Sequence, residues 1–308
     1  MIAIDTVVHV EPARRLSVTH DHGQLGFDSA RARVYGRLYG YDQIPVAGSG
    51  EEFGMLELAA RKLLAEAGVP ARRVAVLVHA HTAPYIGPVG ASLPGLLARR
   101  LGGAPLCFGT QSNKCVSSIT ALDLVDRLLA TRPAGALGVL LIGESADSPD
   151  LRVLDTGIAG DLACAVLLRR GGRRDRVLAA EVATHGQYAG GIYAAPTAPI
   201  RQEYERRFQE HLGAVVDRTL RRAGRRPDEV TVLLPHNVNV NVWRKAAAAI
   251  GIPADKIMLD NVPRYGHCFG ADIFLNLATV RHRLHPGDLA LMASVGVGGT
   301  FGAVLLEH

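Results

Sequence analysis

The amino-acid sequence predicts an α/β fold built by duplication, and three observations predict it. Two stretches about 155 residues apart pass through the same series of elements. Their strands are short and apolar on both faces, as strands buried between helical layers are. Those strands alternate with helices whose apolar positions recur at helical spacing.

In the first stretch a helix runs from Glu51 to Gly68, and Val74 to His79 is an apolar strand. Leu96 to Leu101 belongs to a helix that stops at Gly102, and Pro105 to Phe108 is a second strand. A polar turn leads into a long helix from about Cys115 to Ala130, then strands Ala136–Ile142 and Asp161–Leu168. The second stretch repeats the order. It has a helix from Arg201 to Gly224, strand Val230–Leu234, a helix from Val242 to Ile250 and strand Lys256–Leu259. A turn through Gly266 and His267 starts a helix to about Arg283, and strands Asp288–Met292 and Thr300–Leu306 close the chain. The division falls between residues 1–170 and 171–308, with no linker, so both parts are expected to share one core. Arg169 to Arg176 reads as a polar connection between strands.

Composition narrows the function classes. The 308 residues are 48% hydrophobic and 20% charged, which excludes a disordered or collagenous chain. Basic residues number 34 against 29 acidic, a net charge of +5, and only four are lysines. The arginine pairs are scattered through the chain rather than gathered on one stripe with aromatics between, which argues against nucleic acid. There is no signal-peptide pattern and no apolar run of membrane-spanning length, so a cytoplasmic location is expected. Cys107, Cys115, Cys164 and Cys268 form no C-x-x-C pair, which speaks against a disulfide framework and a zinc knuckle.

Cys115 stands where the turn Gln111–Lys114 gives way to a helix. A thiol there meets the positive end of the helix dipole and free backbone N–H groups, which favour a thiolate nucleophile. The other reading of such a cysteine is a small buried apolar residue. His236 follows strand Val230–Leu234 directly, at the carboxyl end where sites form in open α/β sheets. His267 takes the step in the second repeat that Cys115 takes in the first, so a pseudo-twofold packing would bring Cys115, His236 and His267 together. Ser294 to Gly302 is a glycine-rich turn that could present a backbone N–H to an oxyanion.

This order of motifs resembles the thiolase superfamily, specifically its ketoacyl-ACP synthase III branch: Cys at a helix start, Pro-His-Asn-x-Asn after a strand, Tyr-Gly-His before a helix and a glycine-rich last hairpin. Gly143–Ser145, Gly160–Ala163 and Val295–Gly302 add to the likeness, which runs from about Glu51 to the end. The resemblance implies a thiolase-like fold, two α/β halves in a five-layer αβαβα arrangement, and a homodimer. It implies that Cys115 accepts an acyl group from an acyl-carrier-protein or coenzyme A thioester, which is a substrate, with no further cofactor. The N–H groups of Cys115 and Gly298 would form the oxyanion hole. His236 would stabilise the enolate or act as acid/base in the second half-reaction. Asn239 would order its loop, and Arg244 lies near where the branch carries an arginine.

Three departures qualify the likeness. His267 stands where the branch has asparagine, giving a Cys-His-His set. Arg31–Gly40 and Asp42–Pro45 replace a tryptophan-containing segment that grips coenzyme A. The branch arginine falls near Asn241, with Arg244 and Lys245 displaced, and the sole tryptophan, Trp243, lies in the same segment. Together they point to a specialised biosynthetic acyltransferase. Cys115 would pass its acyl group to a malonyl-derived carbanion, the expectation preferred here, or to an oxygen or nitrogen of a metabolite, making an ester or amide. His79, His81, Gln187, Tyr188 and Tyr193 are candidates for a polar entrance. Two rivals remain: a metal-dependent hydrolase, from His79-Ala-His81 and His20-Asp-His22, and a non-catalytic partner subunit. The scattered arginines suit docking of an acidic carrier protein or a coenzyme A phosphate.

Overall fold

The computed structural model describes residues 1–83, 91–190 and 194–308. The first part of the chain supplies β1 (Ile2–Val10), β2 (Arg15–Ser17), α1 (Ser29–Arg33), β3 (Gln43–Pro45), α2 (Glu51–Glu66) and β4 (Val74–Ala80). Then come α3 (Leu93–Leu101), β5 (Leu106–Thr110), α4 (Ser117–Ala130), β6 (Leu137–Glu144), α5 (Pro149–Arg152), β7 (Val153–Leu154), β8 (Gly157–Ile158) and β9 (Leu162–Arg170). The remainder supplies β10 (Arg176–Thr184), α6 (Pro199–Arg222), β11 (Val232–Pro235), α7 (Val240–Ala249), α8 (Val262–Tyr265), α9 (Asp272–Val280), β12 (Leu289–Gly296) and β13 (Thr300–Glu307).

The main sheet has the order β11-β12-β13-β10-β1-β9-β6-β4-β5. Its two wings meet through one residue pair, Ala3 with Arg176, between antiparallel β1 and β10. β4 is parallel to β5 and β6, and β11 is parallel to β12, so the carboxyl ends of these strands point the same way within each wing.

Side-chain parity builds the layers. Val76, Val78 and Ala80 of β4 join a central cluster with Ile119, Leu122 and Val125 of α4 and Phe274 and Leu277 of α9. Leu234, Met292, Val304 and Leu306 of the other wing enclose that cluster from the opposite side. Leu77, Val139 and Leu141 turn outward against α2 and α3. Leu233, Leu291 and Leu305 turn outward against α6 and α7. The result is α, β, α, β, α, as expected, and it explains why these strands are apolar on both faces. Leu122, Val125 and Phe274 are 0–1% exposed, each contributing roughly 2 kcal/mol by burial.

Two expected elements differ. Lys256–Leu259 is no strand: after Pro253 a tight turn over Ala254–Lys256 leaves one parallel bridge, Leu233 with Ile257, before α8 begins. The helix expected to begin at His267 begins at Asp272 instead. His267 lies in an extended bridge with Ala159, its N–H donated to the Ile158 carbonyl. Cys115 sits in a short 3-10 turn, Lys114–Val116, that feeds α4.

The segment from Leu16 to Ile44, which replaces the expected coenzyme A grip, forms its own aromatic cluster around Phe27, Tyr35 and Tyr41. It closes over the second wing: the Tyr41 hydroxyl donates to the Asn237 carbonyl at 3.3 Å. Among the described residues no helix is long and apolar enough to cross a membrane.

Candidate active site

The three loops that carry Cys115, His236 and His267 converge. Lys114, immediately before Cys115, takes a left-handed backbone at φ +54°, a conformation that non-glycine residues adopt at a cost and that turns the chain sharply into α4. Gly296 at the end of β12 allows this approach, because a Cβ there would lie 2.4 Å from the Asn113 carbonyl oxygen. Gly270 likewise faces the Cys115 carbonyl, which a Cβ would meet at 3.2 Å.

Cys115 is 5% exposed, and its Sγ lies 3.4 Å from His267 Nε2. On the other side of that ring, Nδ1 is 2.6 Å from Asp272 Oδ2. The carboxylate is fully buried and also accepts the backbone N–H of Cys268 at 2.8 Å and of Asn237 at 2.7 Å. Burial alone would lower the pKa of His267, but the Cys115 sulfur and the Asp272 carboxylate outweigh it and raise it to about 10. Sulfur, imidazole and carboxylate thus form one line.

His236 faces His267 with ring centroids 5.2 Å apart. The backbone N–H of Val295 donates to His236 Nδ1 at 2.9 Å. Burial, with His267 next to it, holds His236 well below the usual histidine range, so the ring is neutral and carries its proton on Nε2. Trp243 packs edge-on against it and donates Nε1–H to the His236 carbonyl at 2.6 Å. Ser294 Oγ donates to the Cys115 carbonyl at 3.2 Å, tying the two wings together at the nucleophile.

The other expected residues fall into three groups. Asn239 is the N-cap of α7, accepting from Val242 N–H at 2.9 Å and donating to the Thr156 carbonyl at 3.0 Å. Gly298 occupies the β12–β13 turn at φ +101°, against the Ala189 and Tyr188 carbonyls, whereas Gly296 is the glycine pressed against the Cys115 turn. Arg244 is exposed on α7, next to buried Trp243.

Among the described residues, neither histidine pair has a third ligand placed beside it. His79 and His81 stack at 4.7 Å, but His79 Nε2 is spent on the Gly143 carbonyl and His81 Nδ1 on the Ala83 carbonyl. His22 bonds the Phe27 carbonyl, and among the described residues no group of three or more His, Cys, Asp or Glu is placed to hold a metal ion. Gln187 is exposed, Tyr188 is buried with its hydroxyl on Glu203, and Tyr193 lies outside the described residues.

Asp272 escaped the sequence reading, and within the glycine-rich stretch Ser294 to Gly302 the individual roles of Ser294 and Gly296 did too. Asp272 follows His267 by five residues, a spacing with no motif of its own, and only the bend between them brings carboxylate to ring.

Comparison with known proteins identifies the family. The β-ketoacyl-[acyl-carrier-protein] synthase III of Paracoccus denitrificans (strain Pd 1222) is 32% identical over 273 residues, covering 81% of this chain and 82% of that protein. The chain belongs to the β-ketoacyl-[acyl-carrier-protein] synthase III family. The family's members transfer acyl groups in condensation reactions. The family description 3-oxoacyl-[acyl-carrier-protein (ACP)] synthase III C terminal matches residues 220–308, which hold His236, His267 and Asp272. The synthase III of Aquifex aeolicus (strain VF5) is 30% identical over 205 residues, 64% of this chain and 65% of that protein. A solved structure named ChlB3 [Aceyltransferase] shares the fold with a TM-score of 0.87 at 22% identity, over 99% of this chain and 97% of that one.

Proposed function

We propose that this synthase III homologue is a ping-pong acyltransferase of specialised metabolism. Cys115 is acylated by an acyl-carrier-protein or coenzyme A thioester, and the acyl group is then passed to an acceptor that must lose a proton, an alcohol or an amine. The observation that carries this reading is His267 held between Cys115 Sγ at 3.4 Å and Asp272 Oδ2 at 2.6 Å.

In the first half-reaction the Cys115 thiolate attacks the thioester carbonyl, whose electron pair moves to oxygen. Collapse expels the carrier thiolate, which takes the proton from His267 Nε2. His236 Nε2–H, the Cys115 N–H and the Gly298 N–H are the donors assigned to the oxyanion. Acylation removes the charge on sulfur, one of the influences that keep His267 protonated, and the proton handed to the carrier thiolate leaves the ring neutral, able to serve as a base. In the second half-reaction the acceptor O–H or N–H gives its proton to His267 Nε2 as its lone pair attacks the acyl carbon. Cys115 leaves as thiolate beside the restored imidazolium, and Asp272 stabilises that cation.

Decarboxylative condensation is the second reading, favoured by membership of a condensing family. There the C–C bond of a malonyl thioester supplies the electron pair, carbon dioxide leaves, and no proton has to be removed. His236 and His267 would serve as N–H donors to the malonyl carbonyl, which leaves Asp272 without a direct task. Asn239 supports its loop in either case, and exposed Arg244 is assigned to the carrier's acidic surface or phosphate. A homodimer is part of the proposal: β5, at the end of the main sheet, pairs only with β4 among the described residues and leaves Leu106 36% exposed.

Intact-protein mass spectrometry with acyl thioesters tests the first half, with Cys115→Ala as control. An adduct on wild type and none on the variant is expected, and identical spectra would end the proposal. Chasing the acyl-enzyme with alcohols and amines, or with malonyl carrier protein while following carbon dioxide, separates the two acceptors. Release of carbon dioxide in step with deacylation would favour condensation.

A further inference from the structure

Glu144 is a buried carboxylate that the mechanism above does not use, and its surroundings lead to the nucleophile. It ends β6, is 5% exposed, and spends both oxygens on the exit of the neighbouring strand β4: Oε1 accepts Thr82 N–H at 2.7 Å and Oε2 accepts Ala83 N–H at 2.6 Å. That grip holds the Thr82 hydroxyl 3.8 Å from Cys115 Sγ, in position to donate to the sulfur. The Thr82 carbonyl in turn receives Lys114 Nζ at 3.5 Å, from the residue immediately before the nucleophile. Sulfur is therefore approached from two sides, by His267 backed by Asp272 and by Thr82 backed by Glu144.

We propose that Glu144 is a positioning residue for the acylation of Cys115, acting through Thr82, and that its ionised form is the working one. The inference rests on the reading of Cys115 as the acylated nucleophile. Only the carboxylate offers two acceptors to two parallel N–H groups. Protonation turns one oxygen into a donor facing a donor, which frees one of the two N–H groups and loosens Thr82 against sulfur.

The charged neighbours make that ionisation sensitive to pH. Burial, opposed by the Thr82 and Ala83 bonds and reinforced by Glu52 of α2, raises the Glu144 pKa to about 7. Glu52 is itself raised to about 7 by burial, with Asp147 and Asp161 adding to it, while Arg152 pairs with Asp161. His79 of β4, on the Gly143 carbonyl, is held down to about 4 by burial and brings no charge, and Lys114 lies beyond Thr82.

Single-turnover acylation of the full chain by an acyl-coenzyme A, read as adduct mass against time from pH 5.5 to 9, tests this. Wild type is expected to acylate faster as pH rises through about 7. Glu144→Gln should acylate about tenfold more slowly at pH 8 and lose that rise. Glu52→Gln, which removes the like charge, should move the rise to lower pH and keep the plateau. Thr82→Val should lower the plateau as Glu144→Gln does, and Thr82→Ser should restore it. A Glu144→Gln profile that superimposes on wild type would overturn the proposal. So would Thr82→Val at the wild-type rate, and that pair decides even where Glu144→Gln does not fold. Absence of any adduct on wild type would instead sink the reading of Cys115 itself.

Discussion

Oδ2 of Asp272 stands 2.6 Å from His267 Nδ1 and accepts the Asn237 N–H at 2.7 Å. One carboxylate therefore spans the turn after β11 and the turn before α9, and it fixes the distance between the two histidine loops. Asp272→Asn keeps an acceptor but removes the charge that stabilises the His267 cation. We expect acyl transfer to fall by about 10²–10⁴-fold while Cys115 remains present and buried. Single-turnover transfer measures it, and a near-wild-type rate would contradict the base role of His267.

The Cys115 sulfur and the Asp272 carboxylate, which together raise His267, set a pH dependence of stability. The folded pKa of His267, about 10, lies above its unfolded value, so the stabilisation is complete below that unfolded value. It declines as pH rises and is gone above about 10. Urea denaturation at pH 6 and pH 10 should show a larger loss for wild type than for His267→Gln. His236, held low by burial, acts in the opposite sense and weakens the fold on acidification below the ordinary histidine range.

Gly296 should tolerate no side chain. Its Cβ would fall 2.4 Å from the Asn113 oxygen and 3.2 Å from Lys114 Cβ, so Gly296→Ala must push back the turn that holds Cys115. A loss of about 1–3 kcal/mol by urea denaturation is expected, together with slower acylation. Gly298→Ala should leave the Cys115 turn in place, since its nearest neighbours are the Ala189 and Tyr188 carbonyls at 3.8 and 4.0 Å. Its backbone φ of +101° makes it costly for a different reason.

Trp243, the sole tryptophan, reports on His236 through its edge-on packing and its bond to the His236 carbonyl. Trp243→Phe removes one of the two donors to that carbonyl, which keeps the Val238 N–H at 3.0 Å, so a loss of about 0.5–1.5 kcal/mol is expected in chemical denaturation. In the wild type, tryptophan emission should change when Cys115 is acylated and stay constant in Cys115→Ala under the same thioester.

Residues 1–170 and 171–308, proposed as two inseparable halves, should fail to fold when expressed singly. α4 would lose α9, and the inner faces of β4 and β6 would lose Leu234, Met292 and Val304, all of one cluster. A cooperative unfolding transition from residues 1–170 alone would contradict this.

Much of this architecture was legible in the residues because apolar periodicity is local. The two-faced apolar strands required helices on both sides, and the parallel ends of β4 and β11 placed the polar turns at one rim. The expected strand Lys256–Leu259 misled for the same reason: its composition suits a strand, but a chain leaving Pro253 in a tight turn meets only Leu233 before it bends into α8. His79, the repeat counterpart of His236, shows the limit of reasoning by repeat. It sits on its strand with Nε2 on a backbone carbonyl, while His236 lies one step beyond its strand and faces His267.

Sequence alone determined the layered α/β class, the family resemblance and the trio Cys115, His236 and His267, because these follow from local pattern and from residue types at loop positions. It was silent on Asp272 and Thr82, and it assigned no role of their own to Glu144 and Ser294, which it met only inside the motifs Gly143–Ser145 and Ser294–Gly302. Their importance comes from contacts across the sheet and between its wings, at separations of 35 residues between Asn237 and Asp272 and 179 between Cys115 and Ser294. Only the tertiary structure decides which polar groups, deprived of water, must satisfy one another there. Those pairings set the charge on His267, the tautomer of His236 and the seat of the Cys115 sulfur.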